Sequence, residues 1–257
     1  MKPENLEAIR ASFGVQAKDF ESGKMNFSKK EYLDYTLACI APQAGEDVLE
    51  VAAGTCACGR ALAPYARSVT CLDATPAMLE MGREAAAKEG LVNLHPVIGY
   101  AEELPFLDAS FDVVVSRLAF HHFAQIEQPF QEMARVLKPG GRLVLIDMEA
   151  ADQPLRAVED RIETLRDPSH VKNRSAEELR ALYAQNGLRV ERCQSTPIPV
   201  ALENWMELTQ TPQPVRAQIT ALMQCELAGG EKTGFAPYLR EGQLYFDQRW
   251  VLITGSR

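Results

Sequence analysis

The chain has 257 residues, of which 46% are hydrophobic and 24% charged, and its formal net charge is −8. This composition is that of an ordinary soluble globular protein, and the acidic balance without basic–aromatic stretches argues against a nucleic-acid partner. No run approaches the roughly 18 consecutive apolar residues of a membrane span, and residues 1–25 lack the apolar segment of a secretory signal. We therefore expect a cytoplasmic protein that does not span a membrane.

The six cysteines are distributed as free thiols in a reducing compartment usually are. Cys56 and Cys58 lie close together, but a zinc site needs three or four converging ligands and no histidine is near them in the sequence. We therefore expect no metal site. The two thiols still require an explanation, because they follow a loop of small residues.

Helical patterns precede the first apolar run, so residues 1–44 are predicted to form an N-terminal helical cap. Next, turn-bounded apolar runs predict five strands, at Asp47–Ala52, Ser68–Leu72, Leu94–Ile98, Asp112–Ser116 and Arg142–Asp147. Apolar residues at helical spacing predict two helices between them, over Pro76–Glu89 and Ile126–Leu137. This alternation predicts right-handed β-α-β units over residues 45–150, with a mainly parallel sheet covered on both faces.

After residue 150 the pattern changes. Ser175 and Glu178 form a capping box that predicts a helix over Ser175–Asn186, and a strand is predicted at Leu188–Cys193. Residues 199–240 are mostly helical in pattern, and Gln248–Thr254 is predicted as the last strand. Residues 151–257 should thus complete the core and carry helical lid insertions at about 151–180 and 199–240. Ligands of open α/β sheets bind outside the carboxyl ends of the strands, where such a lid would lie.

The loop after the first strand combines a carboxylate with small residues. Glu50 precedes Ala52 and Gly54, whose small size lets the backbone approach a ligand at a helix N-terminus. A carboxylate here would repel a pyrophosphate and attract an ammonium or sulfonium group, which favours a sulfonium nucleoside over a dinucleotide. Asp73, at the end of the second strand, is a candidate for both ribose hydroxyls, with a helix N-cap as its alternative role.

Two later loops carry weaker signals. Ala101 and Glu102, after the third strand, are candidates for contact with an adenine edge, and a simple surface turn is the alternative. His121 and His122 are adjacent at the end of the fourth strand. The alternative for each is a core imidazole that is hydrogen-bonded to the backbone.

Four segments resemble, in the same order, the class I S-adenosylmethionine-dependent methyltransferases: DVLEVAAGT, VTCLDATPAMLEMG, GYAEELPFLDASFDVVVSRLAFHHF and EMARVLKPGGRLVLID. They are similar to the branch that includes the quinone-biosynthesis C-methyltransferases. LRDPSHV and ENWMELTQTPQPVR resemble a bacterial subgroup that largely lacks an assigned substrate, and the resemblance runs from about residue 9 to the end. It implies a doubly wound α/β fold whose seven-stranded, mainly parallel sheet has its last strand antiparallel.

The resemblance also implies S-adenosylmethionine as the cofactor, S-adenosylhomocysteine as the product, and a set of cofactor-binding residues. These are Glu50, Ala52, Gly54 and Cys56 near the methionine portion, Asp73 at the ribose, Ala74 and Met78 beside the adenine, Tyr100, Ala101 and Glu102 at the adenine edge, and Ser116 and Leu118 near the amino-acid end.

Two positions depart from the family pattern. Cys56 stands where glycine is usual, which is tolerable at negative φ and costs about 1 kcal/mol at positive φ. Its position near a helix N-terminus suggests a thiol open to alkylation, whereas Cys58 should face the packing side of the helix.

Tyr100 places a phenol where an acid or hydroxyl residue is common in the family, and we expect it to stack on or cover the adenine.

The expected function is methyl transfer to a small-molecule acceptor, apolar or aromatic, by a monomer or homodimer; the accepting O, N or C atom is left open. His121 is the first candidate for a general base and His170 the second. Arg166 is a candidate to hold an anionic acceptor, with a structural turn network as its alternative. One alternative is a non-catalytic protein that binds the cofactor or a partner. A dinucleotide-dependent oxidoreductase is a less favoured alternative, because Glu50 and the missing G-x-G-x-x-G argue against it.

Overall fold

The computed structural model describes residues 5–17, 20 and 29–257; residues 1–4, 18–19 and 21–28 of the predicted N-terminal cap lie outside them. Two helices come first, α1 (Leu6–Gln16) and α2 (Lys30–Ile40). The first β-α units are β1 (Asp47–Val51), α3 (Ala57–Leu62), β2 (Ser68–Asp73), α4 (Pro76–Lys88) and β3 (Leu94–Ile98). They continue with β4 (Phe111–Arg117), α5 (Glu127–Val136) and β5 (Leu137–Met148).

The second half of the chain alternates less regularly. Its elements are α6 (Arg156–Arg166), α7 (Ala176–Gln185), β6 (Arg189–Ala201), α8 (Leu202–Leu208), α9 (Gln213–Leu227), β7 (Tyr238–Arg240) and β8 (Gln243–Ser256). The predicted capping box is present at α7, where Ser175 accepts the Glu178 N–H and the Glu178 carboxylate accepts the Ser175 N–H. None of the helices in the described ranges is long and apolar enough to cross a membrane.

The sheet has the order β3-β2-β1-β4-β5-β8-β6, and the short β7 pairs with β8 outside this path. Strands β1 to β5 are parallel, whereas β8 is antiparallel to both β5 and β6. The predicted doubly wound, mainly parallel α/β sheet with an antiparallel last strand is therefore confirmed. The β7–β8 hairpin adds an eighth strand through a two-residue turn, Glu241-Gly242, in which both residues have positive φ.

The largest differences from the predicted elements lie at the sheet edge. Strand β6 continues past the predicted Cys193 to Ala201, so residues 199–201, and also 238–240, are strand rather than helical insertion. This part of β6 contains Pro197 and Pro199, and proline cannot donate a ladder hydrogen bond. They are tolerated because β6 is an edge strand, with one side of its backbone unpaired in the sheet.

Two apolar layers cover the sheet, and a third cluster lies in the second half of the chain. The third cluster packs Ile162 of α6 against Trp205 of α8, Ile219 of α9 and Phe246 of β8. Trp205 and Phe246 are in edge-to-face contact, with ring centroids 5.1 Å apart. This cluster fixes the carboxyl end of α6 above the ends of the parallel strands, which is where the cavity described next is found.

Candidate functional site

A cavity of about 1290 Å³, including its open mouth, lies at the carboxyl ends of the parallel strands. One half is lined by the loops after β1, β2 and β3, which contribute Glu50, Ala52, Gly54, Asp73, Ala74, Met78, Ala101 and Glu102. The other half is lined by α1, the ends of β4 and β5, and the α6–α8 region, including Phe13, His121, Met148, Arg166, Trp205 and Leu208. We call these the strand-loop half and the lid half.

The loop after β1 has positive φ at every second residue. The φ values of Ala52, Gly54 and Cys56 are 56°, 54° and 58°. Ala52 and Cys56 are each strained by about 1 kcal/mol relative to glycine, since the left-handed region crowds a Cβ. Gly54 faces the cavity, because a Cβ built on it would stand 3.4 Å from the Met78 side chain. The fold tolerates this backbone strain because the chain must turn sharply between β1 and α3.

Both thiols of this loop are buried, which differs from our expectation for Cys56 and agrees with it for Cys58. Cys56 is fully buried beneath the loop and belongs to the same apolar cluster as Val48 and Leu79. Its side chain does not line the cavity, so the predicted alkylation-sensitive thiol is not supported. Cys58 is buried in the same apolar cluster, as expected, and also borders the cavity; burial raises its thiol pKa well above the usual value.

Asp73 joins the first two strand loops. Its Oδ2 accepts the Gly54 N–H at 2.8 Å and its Oδ1 accepts the Thr75 N–H at 2.7 Å. Burial raises the pKa of this carboxyl despite these bonds. The alternative role of helix N-cap is not realised, because the N-cap residue of α4 is Thr75 and Asp73 accepts the N–H of Thr75 rather than one from the first turn. Each oxygen keeps a further acceptor position, as two ribose hydroxyls require.

The third strand loop carries an acceptor that lacks a protein donor. Glu102 Oε2 is buried and has no hydrogen-bond partner within residues 5–17, 20 and 29–257, and burial raises the Glu102 pKa. Such an orphaned acceptor fits an adenine amino group, with Ala101, Ala74 and Met78 providing apolar surface around it. Tyr100 is not among the cavity-lining residues, so the expected stacking on adenine is not supported.

Glu50 lies on the cavity floor. Its Oε2 accepts the Gly59 N–H at 2.7 Å and the Cys71 thiol at 3.5 Å. A Cβ at residue 59 would stand 2.8 Å from that oxygen, so only glycine lets α3 pass this close. Burial raises the Glu50 pKa to about 7. Sequence reasoning missed Gly59, since nothing in the local pattern of α3 shows what lies beneath it.

In the lid half, His121 and Asp147 form a hydrogen-bonded pair. His121 Nδ1 lies 2.6 Å from Asp147 Oδ1, and Oδ2 accepts the N–H groups of Ala119 and Phe120 at 3.0 and 2.6 Å. Burial raises the Asp147 pKa, but the His121 interaction and the backbone donors outweigh it, so the pKa lies below its usual value. An ionised carboxylate accepts the proton of Nδ1, which leaves Nε2 as the acceptor nitrogen of the ring.

A second polar network lies beside this pair and attaches α1 to the lid. Asp167 Oδ1 accepts the hydroxyls of Ser12 at 2.8 Å and Ser169 at 2.6 Å. Burial raises the Asp167 pKa, but Arg166 and the hydroxyl donors bring it well below its usual range. His122 Nδ1 donates to the Ser169 carbonyl at 3.0 Å, and burial lowers the His122 pKa to about 3. The core alternative that we kept open for His122 therefore describes it well.

Arg166 belongs to this network and also lines the cavity. Its guanidinium lies 4.6 Å from the Trp205 ring, with Glu163 at 3.2 Å and Asp167 at 3.9 Å. The turn network that was the alternative for Arg166 is thus present. It does not exclude contact with a ligand, because the side chain still borders the cavity.

Besides Tyr100 and the Cys56 side chain, two further predicted residues do not reach the cavity. His170 is fully buried, its Nε2 lies 3.1 Å from Asp160 Oδ1, and its ring packs 5.8 Å from that of His121. It therefore lies behind His121 rather than over the site. Ser116 is also fully buried, whereas Leu118, with a φ of 55°, turns the chain toward the cavity.

Sequence reasoning also missed Asp147 and Arg117, and both had the same signal. Each is a charged residue at the carboxyl end of an otherwise apolar, buried strand, where charges are rare unless they are paired or bind a ligand. Asp147 positions His121, and Arg117 lines the cavity beside Glu50. Among the described residues, no group of three or more His, Cys, Asp or Glu side chains is arranged to hold a metal ion.

Comparison with known proteins relates the chain to methyltransferases. The family description "Methyltransferase domain" matches residues 49–145. The chain is 33% identical over 247 residues to the uncharacterized methyltransferase YcgJ of Bacillus subtilis, covering 95% of this chain and 97% of that one. The crystal structure of YcgJ superposes with a TM-score of 0.81 at 30% identity, covering 89% of this chain and 99% of that chain. A ubiquinone/menaquinone biosynthesis C-methyltransferase of Brucella anthropi is 43% identical over 88 residues, 34% of each chain.

Proposed function

Because this chain belongs to the class I S-adenosylmethionine-dependent methyltransferases, we propose that it methylates a small, apolar or aromatic molecule from which His121 removes a proton. The observation that carries this proposal is the His121–Asp147 pair at 2.6 Å, with the imidazole ring at the cavity wall. A general base is needed only where the acceptor atom carries a proton. The acceptor is therefore an O–H, N–H or acidic C–H compound.

The enzyme uses S-adenosylmethionine, and the strand-loop half suits this cofactor. We assign Asp73 to the ribose hydroxyls, Glu102 to the adenine amino group, and Ala74 and Met78 to the faces of the base. The buried, donor-less Oε2 of Glu102 supports this assignment. When bound, S-adenosylmethionine supplies a methyl group that its sulfonium already activates.

His121 would hold the proton that the acceptor loses. Its Nε2 would accept this proton as the acceptor atom takes up the methyl group, which the bound cofactor would supply while leaving as S-adenosylhomocysteine. The imidazolium so formed faces the ionised Asp147, which stabilises the positive charge. Asp147 is itself fixed by the backbone N–H groups of Ala119, Phe120 and Met148, so the ring keeps one orientation.

The lid half supports an apolar or aromatic acceptor. Phe13, Trp205 and Leu208 line it, and the Arg166 guanidinium lies over the Trp205 ring at 4.6 Å from its centroid. Helix α1 is attached over this half by Ser12 to Asp167 at 2.8 Å and by the Asn5 amide to the His122 carbonyl at 2.8 Å. A cover of this kind excludes water and orients the two reactants, which is most of what a methyl-transfer enzyme supplies.

The test is a transfer assay with methyl-labelled cofactor and a panel of phenols, N-heteroaromatics and carbon acids. We expect one S-adenosylhomocysteine per methylated product, and a kcat about 10²- to 10⁴-fold lower in His121→Asn. His95→Asn, on the exposed face of β3, is the matched control and should keep full activity.

Two results would contradict the proposal. Full turnover by His121→Asn would remove the general base from the mechanism. Cofactor binding by the unaltered protein without transfer to any member of the panel would favour the non-catalytic alternative.

A further inference from the structure

Two N–H donors in the lid half have no acceptor in the protein. Arg166 Nε and Trp205 Nε1 are both buried, and neither makes a hydrogen bond within the part of the chain that the structure describes. Both side chains line the cavity, and the guanidinium lies 4.6 Å from the centroid of the Trp205 ring. A buried donor without an acceptor is unfavourable, so two of them in contact at one cavity wall indicate a place for a ligand oxygen.

The two side chains that carry these donors are otherwise well fixed. Arg166 Nη2 donates to Glu163 at 3.2 Å. The Trp205 ring is in edge-to-face contact with Phe235 and Phe246, at centroid distances of 5.5 and 5.1 Å. Because both side chains are already held by the protein, a ligand would lose little affinity to ordering them.

The charges around Arg166 decide what kind of oxygen fits. Carboxyl oxygens of Glu163 and Asp167 lie 3.2 and 3.9 Å from Arg166 Nη2, so the guanidinium already faces two acids. Asp167 is ionised, since Arg166 and hydroxyl donors keep its pKa well below its usual range. His122 adds no positive charge, because burial lowers its pKa to about 3. A ligand carboxylate would be repelled here, whereas a neutral oxygen accepts an N–H without adding charge.

We propose that Arg166 Nε and Trp205 Nε1 bind a neutral carbonyl oxygen of the methyl acceptor. This rests on the proposed function, and it gives the acceptor a second polar group besides the one that His121 deprotonates. A carbonyl oxygen has two lone pairs, so it can accept from both donors, and it brings no donor of its own. It takes the place of the anionic group that the sequence suggested for Arg166.

This arrangement makes the lid half selective between acceptors of equal size. A compound that carries a hydrocarbon group in place of the carbonyl leaves both N–H groups buried and unpaired. A site built to hydrogen-bond one ligand atom discriminates strongly against an analogue that lacks this atom.

The test measures binding by calorimetry to the full chain saturated with S-adenosylhomocysteine. The probes are phenols and indoles that carry, at the same ring position, an acetyl group, an isopropenyl group or a carboxylate. The isopropenyl group has nearly the shape of the acetyl group and lacks its oxygen. We expect the acetyl probe of at least one set to bind about tenfold or more tightly than both of its counterparts.

Two conservative variants remove one donor each. Trp205→Phe removes the Nε1–H and keeps an aromatic ring, and Arg166→Lys removes the Nε–H and keeps a cation beside Glu163. Each should reduce the preference for acetyl over isopropenyl to about threefold or less, with isopropenyl affinity within about threefold of that of the unaltered protein. Trp250→Phe is the matched control and should keep the preference, because Trp250 Nε1 donates to Gln248 at 3.4 Å and this residue does not line the cavity.

Several outcomes overturn the proposal. Equal affinities for the acetyl and isopropenyl probes, or no acetyl probe bound at millimolar concentration, would mean that no carbonyl oxygen is recognised. Tighter binding of the carboxylate probe would make Arg166 an anion site. A preference that persists in both variants would place the carbonyl elsewhere. Failure of the proposed His121 chemistry is distinguishable, because His121→Asn would then keep normal turnover, which this binding test does not measure.

Discussion

The two halves of the cavity are built in different ways. The strand-loop half comes from three successive loops between Glu50 and Glu102 and relies on backbone groups and short side chains. The lid half brings together segments far apart in the chain, as in the bond between Ser12 and Asp167, which are 155 positions apart. The half that we assign to the cofactor is therefore local in sequence, whereas the half that we assign to the acceptor depends on the packing of the whole chain.

The halves also differ in how their carboxylates are held. In the strand-loop half, burial raises the pKa values of Glu50, Asp73 and Glu102, because the protein donors and cations around them do not outweigh the loss of water. In the lid half, Asp147 and Asp167 are as deeply buried, but protein donors and cations lower their pKa values. The first group has acceptor capacity left for a ligand, and the second group positions other side chains.

We expect the largest loss of activity from a substitution in the lid half of the cavity. Asp147→Asn should lower kcat about 10²- to 10⁴-fold, because the amide neither stabilises the imidazolium nor fixes the Nδ1 proton of His121. Calorimetry on Asp147→Asn should show an affinity for S-adenosylhomocysteine within threefold of that of the unaltered protein. A loss of cofactor affinity as large as the loss of kcat would mean that the two halves are not separable.

The strand-loop half is tested by Asp73→Ala. We expect binding of S-adenosylhomocysteine to weaken about 10- to 100-fold, roughly 1.4–2.8 kcal/mol, for the loss of charge-assisted hydrogen bonds. Asp108→Ala is the control, since that acid is exposed and its partner Arg135 lies outside the cavity. A change of less than twofold in Asp73→Ala would mean that the ribose is not bound there.

The raised pKa of Glu50, about 7, predicts a pH dependence. Its neighbours are Arg117, Cys71 and Asp73, and an ammonium ligand favours the ionised form. Affinity for S-adenosylhomocysteine should therefore rise up to about tenfold between roughly pH 6 and 8. The ligand-free protein should lose stability as pH rises from about 4.5 through 7, because the folded state binds the proton more tightly than the unfolded state.

Glu50→Gln is the matched variant for this pH dependence. Both pH slopes should be absent in it, because the amide does not titrate. Calorimetry and thermal unfolding at several pH values check the two slopes, and their persistence in Glu50→Gln would assign them to another group.

The smallest effect concerns Cys56. Cys56→Gly relieves strain of about 1 kcal/mol at positive φ but loses a buried thiol, so we expect cofactor affinity within twofold and stability within about 1 kcal/mol. Iodoacetamide on the native protein should label the exposed Cys193 and Cys225 and leave Cys56 unmodified. Rapid labelling of Cys56, seen by peptide mass spectrometry, would contradict its burial beneath the loop.

Much of the fold was predictable because its signals are local. Strands β1 to β3 agree with the predicted runs to within one residue at each end, since each is a short apolar segment bounded by turn residues. The start of β5 was placed too late, because Leu137 already pairs with Phe111 of β4, before residues 138–141 interrupt the register between the two strands. The extent of β6 was missed because prolines are acceptable only at an edge, and edge position depends on the order of the strands.

The amino-acid sequence by itself determined the α/β alternation and the strand-loop half of the cavity, because periodicity, small residues and acids at strand ends act within a few positions. The tertiary structure alone decided which side chains reach the cavity. Cys58 lines it and Cys56 does not, because a positive φ at residue 56 turns the chain. His121 lines it and His170 does not, because Asp147 and Asp160 hold the two rings in different places. Such outcomes depend on contacts between distant segments, which no local pattern contains.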